Sequence, residues 1–107
     1  MSRLITEIHY GNRLFHLRGS NVPILKVARR NPNYWGDAPG HPEVNCEALD
    51  MCVKGSVEAD VLADFAEEFA MVYDEYGLAD DTALTLDGQR LKKAVNEMVE
   101  SVEEVEE

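Results

Sequence analysis

The sequence predicts an α+β fold, in which a small N-terminal antiparallel β-hairpin or three-stranded sheet packs against two to three C-terminal helices. Residues 4–18 alternate apolar and polar side chains around a central Gly-Asn pair, as strands of a hairpin do. Residues 57–76 and 91–105 instead repeat apolar side chains every three or four positions, as amphipathic helices do. A segment rich in Pro and Gly at 31–40 separates the two patterns.

The length and composition predict one cytoplasmic domain. A chain of 107 residues with a net charge of −11 fits a single domain over residues 1–107. Within it we expect a β-element in 1–30, a loop in 31–42, and a helical part in 43–107 with an acidic C-terminal end. We expect no signal peptide, and no apolar stretch of the sequence approaches the roughly 20 residues that a membrane span needs.

The first element is predicted to be a hairpin whose turn is Gly11-Asn12, of type II′. This turn places Tyr10 opposite Arg13 and Ile8 opposite Phe15. One face of the hairpin then collects the apolar side chains Leu4, Ile8, Tyr10, Phe15 and Leu17. The other face carries Ile5, Glu7, His9, Leu14, His16 and Arg18.

Residues 22–30 fit two structures. They fit a third strand, with Pro23 at an edge or at the strand start. They also fit a short helix that is capped by Ser20 or Asn21 and has Arg29 and Arg30 in its last turn. The β-branched content favours the strand.

A first helix is predicted from Pro42 to Gly55, because its apolar residues have helical spacing. These apolar residues are Val44, Ala48, Leu49, Cys52 and Val53. If Cys46 and Cys52 share this helix, they point to different faces, and we expect two buried free thiols rather than a disulfide.

A second helix is predicted from a Ser56 cap to Tyr76, closed by Gly77. Its apolar stripe comprises Val57, Val61, Leu62, Phe65, Phe69, Val72, Tyr73 and Tyr76. We expect the hairpin residues Leu4, Ile8, Phe15 and Leu17 to pack against Val61, Phe65 and Phe69, and against Leu91, Val95 and Met98.

A last helix is predicted to begin near Thr85. Leu91, Val95, Met98, Val102 and Val105 follow an a/d pattern, which fits packing on the same domain or a homodimer seam. Basic residues early in this helix and glutamates at its end oppose the helix dipole, so its last turns should fray unless Val102 and Val105 are docked.

Charge is divided unevenly along the chain. Residues 1–40 hold six basic and two acidic residues, whereas residues 41–107 hold four basic and 19 acidic ones. Asp60, Asp64, Glu67 and Glu68 share one face of the second helix, and no basic residue lies between 57 and 76. Exposed helices ordinarily carry both acidic and basic residues, which form ion pairs between neighbouring turns. This excess of acidic residues is therefore either a plain solvated surface or a binding surface.

These observations predict a non-enzymatic binding protein that presents carboxylates to a basic protein partner. A nucleic-acid-binding protein is the expected partner, occupied or inhibited by charge mimicry of DNA. Small inhibitors that phages encode against host defences use this strategy, an analogy that rests on size and charge alone. The expected contact residues are Asp60, Asp64, Glu67 and Glu68, then Glu100, Glu103 and Glu104, with Tyr34 and Trp35 as an aromatic anchor.

Other functions compete with this hypothesis. A structural or scaffold homodimer would assemble through the last helix or the Tyr34–Trp35 loop. A small enzyme would use Glu7, His9 and His16, although no common catalytic, nucleotide or zinc motif is present and no catalytic residue is assigned. A basic patch over Arg13, Arg18, Lys26, Arg29 and Arg30 could bind nucleic acid directly, which the net charge disfavours. No cofactor, metal or membrane partner is expected.

Overall fold

The computed structural model describes residues 2–19, 21–28 and 41–105. Two helices lie in these ranges, α1 (Glu58–Val72) and α2 (Leu86–Met98). The strands are β1 (Ser2–Leu4), β2 (Glu7–Tyr10), β3 (Arg13–Leu17), β4 (Ile24–Ala28), β5 (His41–Cys46), β6 (Met51–Lys54) and β7 (Val99–Glu104). Short 3-10 turns cover Glu47–Leu49 and Asp81–Ala83, and a π-helical turn covers Tyr73–Gly77.

The strands form two antiparallel sheets, and the fold is mixed α+β as the sequence predicts. The four-stranded sheet has the order β1-β4-β5-β6, and the three-stranded sheet has the order β2-β3-β7. Buried residues from both sheets and both helices form one hydrophobic cluster. The largest fully buried side chains are Phe15, Phe65, Phe69 and Met98, followed by Val44, Val61, Val95, Pro23 and Cys46.

The N-terminal hairpin is confirmed in its register. Ile8 pairs with Phe15 and Tyr10 pairs with Arg13. Of the two turn residues only Gly11 has a positive φ, 61°, as a type II′ turn requires. Leu4 and Tyr10 are exposed, contrary to the prediction. The chain bends after Leu4 and β1 pairs with β4, which takes Leu4 away from the hairpin face.

The strand interpretation of residues 22–30 is confirmed over Ile24–Ala28. Pro23 lies just before the strand, where its missing N–H disturbs no ladder bond. Its carbonyl accepts a hydrogen bond of 2.8 Å from the Ile5 amide. β4 lies between β1 and β5, so this strand is an interior strand and not an edge.

The predicted helix from Pro42 to Gly55 is wrong, because β5, a 3-10 turn and β6 form a second hairpin there. Val44 pairs with Val53, and both are buried. Their apolar spacing fits either structure, and pairing of β5 with β4 decides for the strand. The register puts Cys46 and Cys52 on opposite faces. Both thiols are free, but only Cys46 is buried, so the prediction of two buried thiols fails for Cys52.

The long second helix is confirmed, since α1 continues through the π-helical turn to Gly77. Its inner face buries Phe65 and Phe69, and Phe69 meets Phe15 edge-on at 5.3 Å between ring centroids. Ser56 is not the N-cap. That position is Val57, which makes no side-chain capping bond and is exposed.

The last helix begins as predicted, where the Thr85 hydroxyl accepts a hydrogen bond of 3.1 Å from the Gly88 amide. Its predicted extension to Val105 is wrong, because α2 ends at Met98 and β7 pairs with β3. This ending explains the conflict with the helix dipole, since the glutamates from 100 to 104 are not helical. A helical seam through Val102 and Val105 therefore does not form.

Candidate functional site

The outer face of α1 is a surface of exposed carboxylates. Asp60, Asp64, Glu67 and Glu68, the "acidic face", are all exposed, whereas Val61 and Phe65 on the opposite side of the helix are buried. Among the described residues none of these four carboxylates takes part in an ion pair. The acidic face therefore presents its charge to solvent, as predicted.

The described basic residues that form ion pairs bind acidic residues outside the acidic face. Arg3 pairs with Glu58, and Lys92 Nζ lies 2.9 Å from Asp81 Oδ1. Arg13 donates two hydrogen bonds to Asp74, of 2.7 and 3.0 Å. These bonds hold the pKa of Asp74 below its ordinary value and raise the pKa of Arg13. Basic and acidic residues thus neutralise each other in part, at positions outside the acidic face.

The basic residues of the N-terminal third do not share one partner. Arg13 binds Asp74, while Arg18 Nε donates to the Glu97 carbonyl at 3.2 Å. Lys26 is paired with a carboxylate of the four-stranded sheet. Arg29 and Arg30, with the aromatic pair Tyr34 and Trp35, lie outside the described residues, and their predicted roles stay predictions.

The acids of β7 do not extend the acidic face as a single row. Val102 pairs with Phe15, whose ring packs on α1, so the neighbouring Glu103 projects from the opposite surface of the sheet. Glu103 Oε2 lies 3.0 Å from His16 Nε2 there. Glu100, Glu103 and Glu104 therefore belong to a strand and not to the predicted helix, and their role as contact residues stays a prediction.

The proposed acid–base set lies on that same sheet surface. Glu7 pairs with His16 in the hairpin register, as predicted, and both Glu7 and His9 are exposed. The imidazole contacts Glu103 rather than Glu7. A cross-strand contact of this kind between polar side chains also stabilises sheets that have no active site.

A groove runs between α1 and the edge strand β6. It has a volume of about 420 Å³. Three carboxylates of the acidic face and Met71 line its helix side, and consecutive residues of β6 line its strand side. The lining residues are Cys52, Val53, Lys54, Asp64, Glu67, Glu68 and Met71. Sequence reasoning missed this groove, because it placed residues 51–54 in a helix.

A second depression, of about 460 Å³, lies on the face of the four-stranded sheet that carries Lys26, Glu43 and Lys54. At its base Glu43 is buried between Lys26 Nζ at 3.2 Å and Lys54 Nζ at 4.0 Å. Asn45 Nδ2 donates a hydrogen bond to it at 2.9 Å. This bond, with the two ammonium groups, holds the pKa of Glu43 below its ordinary value although burial opposes the shift. The carboxylate is fully partnered, and we assign it a structural role.

Comparisons of the chain with protein-family models, curated proteins and solved structures give no match. In the described ranges, neither helix is long and apolar enough to cross a membrane. The same ranges contain no cluster of three or more His, Cys, Asp or Glu residues arranged to hold a metal ion.

Proposed function

We propose that this protein is a non-enzymatic binding protein that presents the acidic face of α1 to a basic surface of another protein. The observation that carries the proposal is that Asp60, Asp64, Glu67 and Glu68 are exposed and take part in no ion pair among the described residues. Like charges on neighbouring turns repel one another, and of the four only Asp60, in the first turn of α1, gains from the helix dipole. A complementary cationic partner relieves this repulsion and gains steered association.

The proposed partner is a protein that binds nucleic acid, which this chain would occupy or inhibit by charge mimicry. The step from Asp60 to Glu68 is eight residues, about 12 Å of helix axis. The four carboxylates are therefore separated by about 6, 4.5 and 1.5 Å along the helix axis, a mean of about 4 Å, and one strand of DNA carries one phosphate per roughly 3.4 Å of its own axis. A cleft that binds a phosphate backbone offers lysines and arginines at a compatible spacing.

The test is a tagged pull-down from bacterial lysate with mass-spectrometric identification, at about 50 and 300 mM salt, which bracket a large change in screening. The test variant is Asp60→Asn, Asp64→Asn, Glu67→Gln and Glu68→Gln. The matched control removes four exposed carboxylates elsewhere, through Glu47→Gln, Glu75→Gln, Asp87→Asn and Glu97→Gln. We expect a basic nucleic-acid-binding protein that is lost at high salt and in the test variant, and retained by the control.

Two outcomes would contradict the proposal. Equal loss in the test variant and the control would show that net charge matters and the acidic face does not. Recovery of the chain itself alone, unchanged by salt and by the variants, would favour the homodimer. That alternative would then use a surface other than the predicted helical seam, since Val102 lies in β7.

A further inference from the structure

The edge strand β6 has backbone groups that no described residue satisfies. β6 pairs with β5 on one side only. The Gly55 amide donates to the Pro42 carbonyl at 3.3 Å. Because hydrogen-bonded pairs alternate along an antiparallel ladder, Val53 and Met51 also bond to β5. The N–H and C=O groups of Cys52 and Lys54 therefore point away from the sheet, along the groove.

The opposite wall of the groove has the length and chemistry of a strand-binding slot. Asp64, Glu67, Glu68 and Met71 are spaced i, i+3, i+4 and i+7, so they form one line along α1. This line is about 10 Å long, which matches three residues of extended chain at about 3.3 Å each. Three carboxylates beside one thioether suit long cationic side chains, whose charged ends pair with the carboxylates and whose aliphatic stems pack on Met71.

β6 differs from the other sheet edges in what it presents. β7 carries three glutamates, which oppose the addition of another strand, and β1 has only three residues. β2 carries Glu7 and His9. β6, with the sequence Met-Cys-Val-Lys, has no acidic residue, and its Lys54 lies at the end. Of these edges, β6 combines an accessible backbone with a charged wall beside it.

We propose that the partner binds by strand addition: an extended segment with alternating basic residues pairs with β6 as a fifth strand. Its basic side chains face Asp64, Glu67 and Glu68, and the aliphatic stem of one of them packs on Met71. This inference rests on the proposed function and specifies the partner segment. Main-chain hydrogen bonds to Cys52 and Lys54 supply affinity, and the wall of α1 supplies selectivity, which is how edge-strand recognition divides these roles.

The first arm of the test uses a fluorescent, end-blocked peptide with the sequence Lys-Val-Lys-Val-Lys-Val-Lys, titrated by anisotropy at low salt. Two copies carry backbone N-methyl groups, one on the lysines and one on the valines. Amides of alternate residues point to opposite edges of a strand, so strand addition predicts unequal effects. One copy should lose at least about tenfold in affinity through its missing hydrogen bonds, and the other should change little.

The second arm changes the protein. Cys52→Pro removes an amide that points out of the sheet and leaves the β5–β6 ladder intact, whereas Cys52→Ser keeps the amide. We expect Cys52→Pro to weaken the peptide about tenfold and Cys52→Ser to change it little. Glu67→Gln with Glu68→Gln should weaken binding, and the matched pair Glu75→Gln with Asp87→Asn, which lies outside both the groove and the acidic face, should not.

The outcomes separate this inference from the proposed function. Equal affinities of both methylated peptides, or no binding of the parent peptide, would overturn strand addition. If the lysate partner still depends on the acidic face, the proposed function survives that result. Circular dichroism checks the fold of Cys52→Pro, and if that variant is unfolded, the pair of methylated peptides decides.

Discussion

Glu43 is a buried charged residue, and its carboxylate is stabilised by two lysine ammonium groups and one hydrogen bond. It is 8% exposed on the central strand β5. Lys26 and Lys54 are its register neighbours on the two flanking strands, so the sheet itself brings both ammonium groups to it. Their Nζ atoms lie 3.2 and 4.0 Å from its carboxylate oxygens, and the two lysine side chains remain 48% and 62% exposed. A buried charge of this kind is tolerated because it is paired and hydrogen-bonded.

We predict that Glu43→Gln destabilises the fold at neutral pH and much less at acidic pH. The pKa of Glu43 is lower in the folded state, so its stabilisation is present above the unfolded pKa and is lost as pH falls through the folded pKa. Urea titrations at pH 7 should show a loss of about 1–3 kcal/mol, the size of a charged hydrogen bond. At about pH 3, below the ordinary glutamate range, the difference should shrink. An equal loss at both pH values would contradict this account.

At the scale of elements, β7 shows how charge protects a sheet edge. The strand pairs with β3 on one side, and no described strand pairs with its other side. Glu100, Glu103 and Glu104 are exposed along it. Like charges on an open edge prevent two copies from pairing edge to edge, a device that natural sheets use against aggregation. The glutamates that oppose a helix dipole are thus well placed on an edge strand.

We predict that Glu100→Gln, Glu103→Gln and Glu104→Gln together increase self-association at neutral pH. Removing the repulsion exposes a six-residue edge to pairing with a second copy. Sedimentation velocity over a concentration series should show a larger species than the parent protein does. The matched variant Asp60→Asn, Glu75→Gln and Asp87→Asn removes the same charge from helical positions and should sediment like the parent. Equal behaviour of the two variants would assign the effect to net charge.

At the scale of the whole molecule, the net charge of −11 acts on the fold through self-repulsion. The pairs Arg3–Glu58, Arg13–Asp74 and Lys92–Asp81 attract, but the side chains of the acidic partners are 52%, 47% and 70% exposed. Exposed pairs contribute little and are screened as readily as the repulsion. The uncompensated acids therefore dominate the response to salt.

We predict that the thermal unfolding midpoint rises as sodium chloride increases from about 20 to 300 mM, because the Debye length shortens through this range. Calorimetry or circular dichroism at pH 7 measures the midpoint. The quadruple neutral variant of the acidic face should start from a higher midpoint and gain less from salt. A fall of the midpoint with salt in the parent protein would show that attractive pairs outweigh the repulsion.

The sequence by itself was sufficient to predict the elements whose structure depends on residues close together in the chain. The Gly11-Asn12 turn sets the register of β2 and β3, because a two-residue loop permits one pairing. The apolar period of α1 identifies its buried face, and Thr85 identifies the start of α2. The exposure of the acidic face follows from the same period, since carboxylates opposite a buried stripe must face water.

Only the tertiary structure decided between helix and strand for residues 41–54 and 99–104. Val44 and Val53, or Met98 and Val102, have spacings that either structure accepts. The choice depends on β4 and β3, which lie far away in the sequence and offer backbone partners to β5 and β7. Strand pairing also created the Glu43 ion pairs, separated Glu103 from the acidic face, and opened the groove beside β6. Long-range hydrogen bonding is the physical reason, because no short window of sequence contains both partners.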